Sequence, residues 1–344
     1  MAAKTLAPAL SGSCALLSFF DSKTDTMKVA CTGDSRAILG RKTASGKWTA
    51  LPLSIDQTGS NPEEAARVRR EHPGEPGVIH AGRVLGGLEP SRAFGDAIYK
   101  WSPDVQRRLR SNFFTRNPHR SLQTPPYVTA EPVVTTTKIQ PGNGDFVVMA
   151  TDGLWEMLTN EEVVGLVGWW LDEEHSRNLS QSKSSNGTSI LSPGGGSSWL
   201  RRLLSKPLRD LPIEKSTPSS SSDEADASGE SKAGQKRPIR QQQWDLDTKS
   251  PDLNRFVCED RNVATHLVRN ALGGKNGDTV AALLTLSSPH SRRYRDDLTV
   301  NVVFFGDEGE DASDSPDRII RNKDASVGQD GQRTGLSEDL KAKL

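Results

Sequence analysis

Carboxylates stand at the ends of three apolar runs. Asp34 follows the run 27–32 in a Gly-Asp-Ser turn, and Asp152 follows the run 146–151. Gly153 adjoins Asp152, and Glu156 lies one helical turn further on. Asp296 and Asp297 immediately precede a third run, 298–305. Taken singly, each aspartate suits a turn or a helix cap, because its side chain hydrogen-bonds nearby backbone. Gathered at the ends of neighbouring buried strands, they would repel one another unless a cation neutralised them. Oxygen donors without His or Cys favour a hard ion, Mg or Mn, over zinc. Two such ions about 3.5–4 Å apart can activate a water and present it in line to a phosphoryl group. The chemistry expected of these residues is metal-assisted phosphate hydrolysis.

Short strands must position them. Residues 13–20, 27–32, 36–40 and 48–53 are apolar or alternating runs joined by tight turns, the signature of antiparallel pairing rather than βαβ crossovers. Residues 62–72 fit a helix, with Pro62 in its first turn, Glu63 and Glu64 near the positive end of the dipole, and basic residues later. Strands are expected at 133–139 and 146–151, the latter apolar throughout and so buried on both faces. Thr159 and Glu162 form a capping box for a helix whose apolar face carries Val163, Leu166, Val167 and Trp170. A further helix fits 259–272, and 298–305 reads as a final buried strand. The fold class expected is α+β, a sheet sandwich with helices outside.

Composition divides the chain. Residues 176–252 are rich in Ser, Pro, Gly, Gln and charge, and 307–344 are polar, so neither stretch offers enough apolar surface to offset chain entropy. The expected organisation is one domain built from 1–175 and 253–306, interrupted by a disordered insertion at 176–252 and followed by a disordered tail at 307–344. Within the insertion, Trp199, Leu200, Leu203 and Leu204 form an isolated apolar cluster. The 344 residues carry 44 Lys+Arg against 44 Asp+Glu, a balance unlike that of a dedicated nucleic-acid binder. No apolar run approaches the roughly 18 residues that span a bilayer. The 3 cysteines lie far apart, which argues against a disulfide framework or structural zinc. Neither G-x-x-x-x-G-K-[ST] nor G-x-G-x-x-G occurs, so a nucleotide-binding kinase or ATPase finds no support.

Four segments, 29–36 (VACTGDSR), 91–96 (SRAFGD), 151–155 (TDGLW) and 295–300 (RDDLTV), resemble in order and spacing the later motifs of the metal-dependent protein phosphatases of type 2C, the PPM family. The segments 83–88, 100–102, 124–132 and 260–267 look like the pyruvate dehydrogenase phosphatase branch of that family. The resemblance covers roughly residues 10–175 and 258–305. It implies a PPM-type sandwich of two antiparallel β-sheets flanked by α-helices, here incomplete at the N-terminus, with two Mg or Mn ions at one edge. On that pattern Asp152 and Asp296 match ligands of the paired site. Asp34 matches an acid associated with a weaker third metal, and Glu156 stands where Asp is more common. Asp297 is the alternative ligand to Asp296. Residues 62–95 correspond to a flap beside the cleft, and Arg36 and Arg92 are expected to support turns and strand ends rather than hold substrate.

The family's Asp-Gly-His strand, which supplies a bridging Asp and a general-acid His, has no counterpart here, and neither does its phosphate-holding Arg. No catalytic side chain is therefore assigned, and the 6 histidines sit in other contexts. The resemblance implies a serine/threonine phosphatase acting on a phosphoprotein, with the pyruvate dehydrogenase complex as its partner and a mitochondrial location, although the chain shows no transit segment. The alternative is a catalytically inactive, phosphatase-like module that binds a phosphoprotein or regulates a partner, in the cytoplasm.

Overall fold

The computed structural model describes residues 2–113, 115–185, 211–214 and 255–306, and side chains from residue 4 on, except those of 178–185. The chain opens with helix α1 (Ala2–Leu10) and the short strand β1 (Gly12–Ser13), then runs through β2 (Ala15–Asp21), β3 (Thr26–Thr32), β4 (Arg36–Lys42) and β5 (Trp48–Pro52). Helix α2 (Pro62–Glu71), strands β6 (Ile79–His80), β7 (Arg83–Val84) and β8 (Phe94–Gly95), and helix α3 (Pro103–Phe113) follow. Strands β9 (Val133–Lys138) and β10 (Phe146–Ala150) lead into helices α4 (Asp152–Trp155) and α5 (Asn160–Ser185). Helices α6 (Val263–Ala271) and α7 (Gly277–Thr285) precede strand β11 (Val300–Phe304). The fold is α+β with antiparallel sheets. Helices α1, α3 and α7 had no expectation from the sequence.

Two sheets carry the architecture. One has the order β11-β10-β4-β5 and the other β2-β3-β9, every ladder antiparallel. Alternation along the strands decides what faces what. Met27, Val29, Ala37, Leu39 and Val147 meet in one buried cluster between the sheets. On the opposite face of the four-stranded sheet, Ile38, Phe146 and Val148 pack with Val163, Leu166, Val167 and Leu267 from α5 and α6. The outer face of the three-stranded sheet exposes Leu17 and Phe19.

The expected helix boundaries rest on visible caps. Asn61 caps α2, its side chain accepting from Glu63 N. The Thr159–Glu162 capping box is closed in both directions: Glu162 N donates to Thr159 Oγ1 (3.0 Å), and Thr159 N donates to Glu162 Oε2 (2.9 Å).

The expectation of an insertion lying wholly outside the core, 176–252, needs correction at two places. Helix α5 continues to Ser185, and Leu211 is buried against the α5 side of the core. The rest of that stretch, including the cluster around Trp199, lies outside the described residues, as does 307–344. Composition failed at 211–214 because a window average does not register a few apolar residues that find a matching groove.

Within residues 62–95 a buried ion network ties α2 to the segment that enters β8. Arg92 donates from Nε and Nη2 to the two oxygens of Glu64 (3.0 and 2.8 Å), Arg67 adds a second fork, and Ser91 Oγ donates to Glu64 Oε2. Burial pushes the Glu64 carboxyl up, but Arg92, Arg67 and Ser91 overcome that and hold it down at about 2. Its ionised form is therefore favoured by the fold, a contribution present above the ordinary carboxylate range and lost as pH falls toward 2. Glu64→Gln is expected to cost about 3–5 kcal/mol at neutral pH, because it strands buried guanidinium charge. Urea unfolding at a series of pH values checks this: the deficit should shrink on acidification, and Glu64→Gln combined with Arg92→Met should cost less than Glu64→Gln alone.

Candidate metal centre

Antiparallel register places the acids together. Ala150, the last residue of β10, pairs with Arg36, the first of β4, and with Val300, the first of β11. Whatever follows β10 must meet whatever precedes β4 and β11. Asp152 follows; Asp34 and Asp296 precede.

Glycines let these segments close in. Gly33 has φ +111°, and a Cβ there would sit on the Cys14 side chain. Its absence lets Cys14 Sγ donate to Asp34 Oδ1 at 3.1 Å. Gly33 N is held by Gln57 Oε1 (2.7 Å), which fixes the turn. At Gly153 a Cβ would lie 2.6 Å from the Asp297 carbonyl oxygen, so only glycine allows the 296–297 backbone to approach α4 this closely. Thr151 stitches the two: its Oγ1 donates to Asp297 O (2.8 Å) and accepts from Thr299 N (3.0 Å). Cys14 and Thr151, with Ser35, Met149 and Asn301, line a cleft of about 200 Å³ there.

The electrostatics follow from this crowding. Burial raises the Asp152 carboxyl, and the charges of Asp34, Asp296 and Glu156 raise it further, to about 7. Burial likewise raises Asp34, with Asp56 and Glu89 adding to it against the Cys14 hydrogen bond. The charges of Asp34, Asp296 and Glu156 thus each act on Asp152. Of the two adjacent acids, Asp296 faces the group. Its Oδ1 accepts from Asp297 N at 2.7 Å, whereas the Asp297 side chain is 91% exposed and lies 3.8 Å from Arg295. Among the described residues, no three His, Cys, Asp or Glu side chains close into a ready-made cation cage. The donor set nonetheless fits a hard divalent ion: all oxygen, mutually repelling, and partly buried.

Arg36 and Arg92 are spent on the fold, as expected. Arg36 forks onto buried Asp56, reaches Asn160 Oδ1 (2.8 Å) and stacks over Trp155; Arg92 is held by Glu64 and Glu131 O. Among the histidines, His72 and His266 are buried, and burial lowers His266 to about 4. The contact the sequence did not announce is Cys14 on Asp34. The two are 20 positions apart, and a single cysteine in a strand carries no signal of what it touches.

The family model described as Protein phosphatase 2C matches residues 1–189. The mitochondrial pyruvate dehydrogenase (acetyl-transferring) phosphatase 1 of Saccharomyces cerevisiae is 44% identical over 310 residues, 88% of this chain and 48% of that protein. A protein phosphatase 2C homolog of Schizosaccharomyces pombe is 41% identical over 308 residues, 90% of this chain and 56% of that protein. The human mitochondrial phosphatase 1 of the same name is 34% identical over 294 residues, 81% of this chain and 45% of that protein. The chain thus spans about half the length of the curated relatives it matches. A solved serine-threonine phosphatase 2C from Toxoplasma gondii superposes on 55% of this chain and 58% of that chain, with TM-score 0.34 and 19% identity.

Because the folded chain holds the Asp152 proton up to about 7 while an unfolded aspartate releases it near 4, stability must fall as pH rises through that window. Asp152→Asn removes the penalty. It is expected to raise the unfolding free energy at pH 8 by on the order of 3 kcal/mol and to leave it nearly unchanged at pH 4. Thermal melts of the ion-free chain at the two pH values test this; equal effects at both would contradict the crowding.

Proposed function

The chain belongs to the protein phosphatase 2C family, and on that premise we propose that the protein hydrolyses phosphoserine and phosphothreonine on a phosphoprotein, with Mg or Mn as cofactor. One observation carries the reading: the leading charges acting on half-buried Asp152 are all negative, from Asp34, Asp296 and Glu156. Such crowding costs stability and persists in a fold where it serves a cation. Asp152 and Asp296 would hold the paired ions, with Asp34 and Glu156 beside them and Asp297 directed to solvent. When bound, the ions supply Lewis acidity toward water and phosphoryl oxygens. The chain's own residues orient that site. Cys14 steadies the Asp34 carboxylate, and Thr151 and the bare Gly153 hold 296–297 against α4; the resemblance to the family is what assigns 62–95 to a flap. Arg36 and Arg92 already carry buried carboxylate partners, so neither is assigned to the phosphate.

The finer reading follows the relatives. The architecture is proposed to be the PPM-type sandwich, its domain formed by 1–175 and 253–306 around the inserted stretch. The named relatives include mitochondrial pyruvate dehydrogenase phosphatases, which supports a mitochondrial location and a substrate of the pyruvate dehydrogenase type.

The test separates ion binding from turnover. Calorimetry with Mn²⁺ should show binding to the 344-residue chain that is lost in Asp152→Asn/Asp296→Asn. A protein spanning the full length of its relatives should hydrolyse a phosphoserine peptide in a chelator-sensitive manner. Asp152→Asn should reduce that rate at least about 100-fold, the loss expected when charge stabilisation of several kcal/mol is removed. Turnover indifferent to chelator and to Asp152→Asn would overturn the reading.

A further inference from the structure

At the end of the four-stranded sheet away from the carboxylates, strand β5 forms the sheet edge, and Leu211-Pro212-Ile213-Glu214 lies along it. The placement of these four residues rests on local contacts. Trp48 N donates to Pro212 O (2.9 Å), and Glu214 N donates to Trp48 O (2.8 Å), a parallel bridge between Ile213 and Trp48. Both main-chain groups of Trp48 that face outward from the sheet are thereby satisfied.

Side chains fill matching space on α5. Leu211 is 6% exposed and rests where α5 has Gly165; a Cβ there would lie 2.8 Å from Leu211 Cβ. Pro212 and the Trp48 indole occupy the space beside Gly168, where a Cβ would run into the indole. Ile213 packs against the helix-side core, and Ser45 Oγ donates to Glu214 Oε2 at 3.2 Å. Main-chain pairing along an edge, with pockets for alternating side chains, is the physics of β-augmentation. Proline fits because Pro212 enters the pairing through its carbonyl, which accepts from Trp48 N, so its missing N–H costs no bond there.

We propose that the β5 edge and the Gly165–Gly168 notch of α5 form a peptide-recognition groove for an extended Leu-Pro-Ile-Glu segment. Its resident occupant is Leu211–Glu214 of the same chain. The groove reads the segment through the main-chain bonds of Pro212 and Glu214 and the side chains of Leu211 and Ile213, so it accepts the same segment from a separate peptide once the resident one is disabled. In the intact chain the docked segment covers an otherwise open sheet edge and pins the inserted stretch to the side opposite the carboxylates. The proposal does not depend on the phosphatase reading.

The test uses the full chain and a fluorescein-labelled peptide of residues 208–217. Fluorescence anisotropy should show saturable 1:1 binding to the Leu211→Ser/Ile213→Ser chain. Binding to the wild-type chain should be at least about tenfold weaker, because the tethered segment competes at high effective concentration. A peptide N-methylated at Glu214 should lose binding, since its N–H is the donor to Trp48 O. Absence of binding to the folded double variant, or equal binding of the methylated peptide, would overturn the proposal. Should the double variant fail to fold, amide hydrogen exchange of the wild-type chain decides. The Glu214 and Trp48 amides should exchange together and slowly; a Glu214 amide exchanging at the rate of a free peptide would equally overturn it.

Discussion

The pairing of β10 on both sides is the constraint from which the rest follows. Its residues Phe146–Ala150 are apolar and sit between β4 and β11, so the strand is buried on its faces and bonded along both edges. A shift of register by one residue would turn Val147 from the inter-sheet core and Phe146 and Val148 from the helix-side core. That hydrophobic requirement has nothing to do with acids, yet it dictates their meeting. With Ala150 opposite Arg36 and Val300, the chain emerging from β10 must pass the turns that enter its two neighbours.

Two kinds of buried charge coexist around that edge, and they act in opposite senses. Arg36 with Asp56, and Arg92 with Glu64, are matched forks whose partners fill the guanidinium donors. The first ties the start of β4 to Asp56, and the second binds α2 to the segment before β8, with Arg92 also reaching Glu131 O. Around Asp152, burial and the like charges of Asp34, Asp296 and Glu156 instead raise the carboxyl to about 7. A fold selected for stability alone would put apolar or paired groups there. On the proposed reading, stability is given up at this place because the carboxylates serve to draw a cation from water.

The sheet edges show a parallel division. On the outer face of the three-stranded sheet, Leu17 and Phe19 remain exposed, while the β5 edge is covered by Leu211–Glu214. Two glycines on α5 make that cover possible. A side chain at Gly165 or Gly168 would occupy the space that Leu211, Pro212 and Trp48 use. Helix α5 thus serves two surfaces, packing Val163, Leu166 and Val167 on the sheet and receiving the segment at the sheet's rim.

Local sequence settled the elements whose signals are local. The capping box at Thr159 and Glu162, the Pro62 start of α2 and the unbroken apolar run of β10 each depend on residues within one or two turns, and each appears where expected. The candidate acids were legible too, because Asp34, Asp152 and Asp296 border apolar runs in the primary sequence; that they hold a cation is the proposal. Other features were decided only by the tertiary structure. Asp296 rather than Asp297 faces Asp152 because the Thr151 bonds and the bare Gly153 fix how that backbone lies against α4. Cys14 meets Asp34, and Glu64 meets Arg92, through contacts separated by tens of residues, which no periodicity encodes. Leu211–Glu214 reads as low-complexity sequence because its order comes from the groove it enters, a property of β5 and α5 rather than of the segment itself.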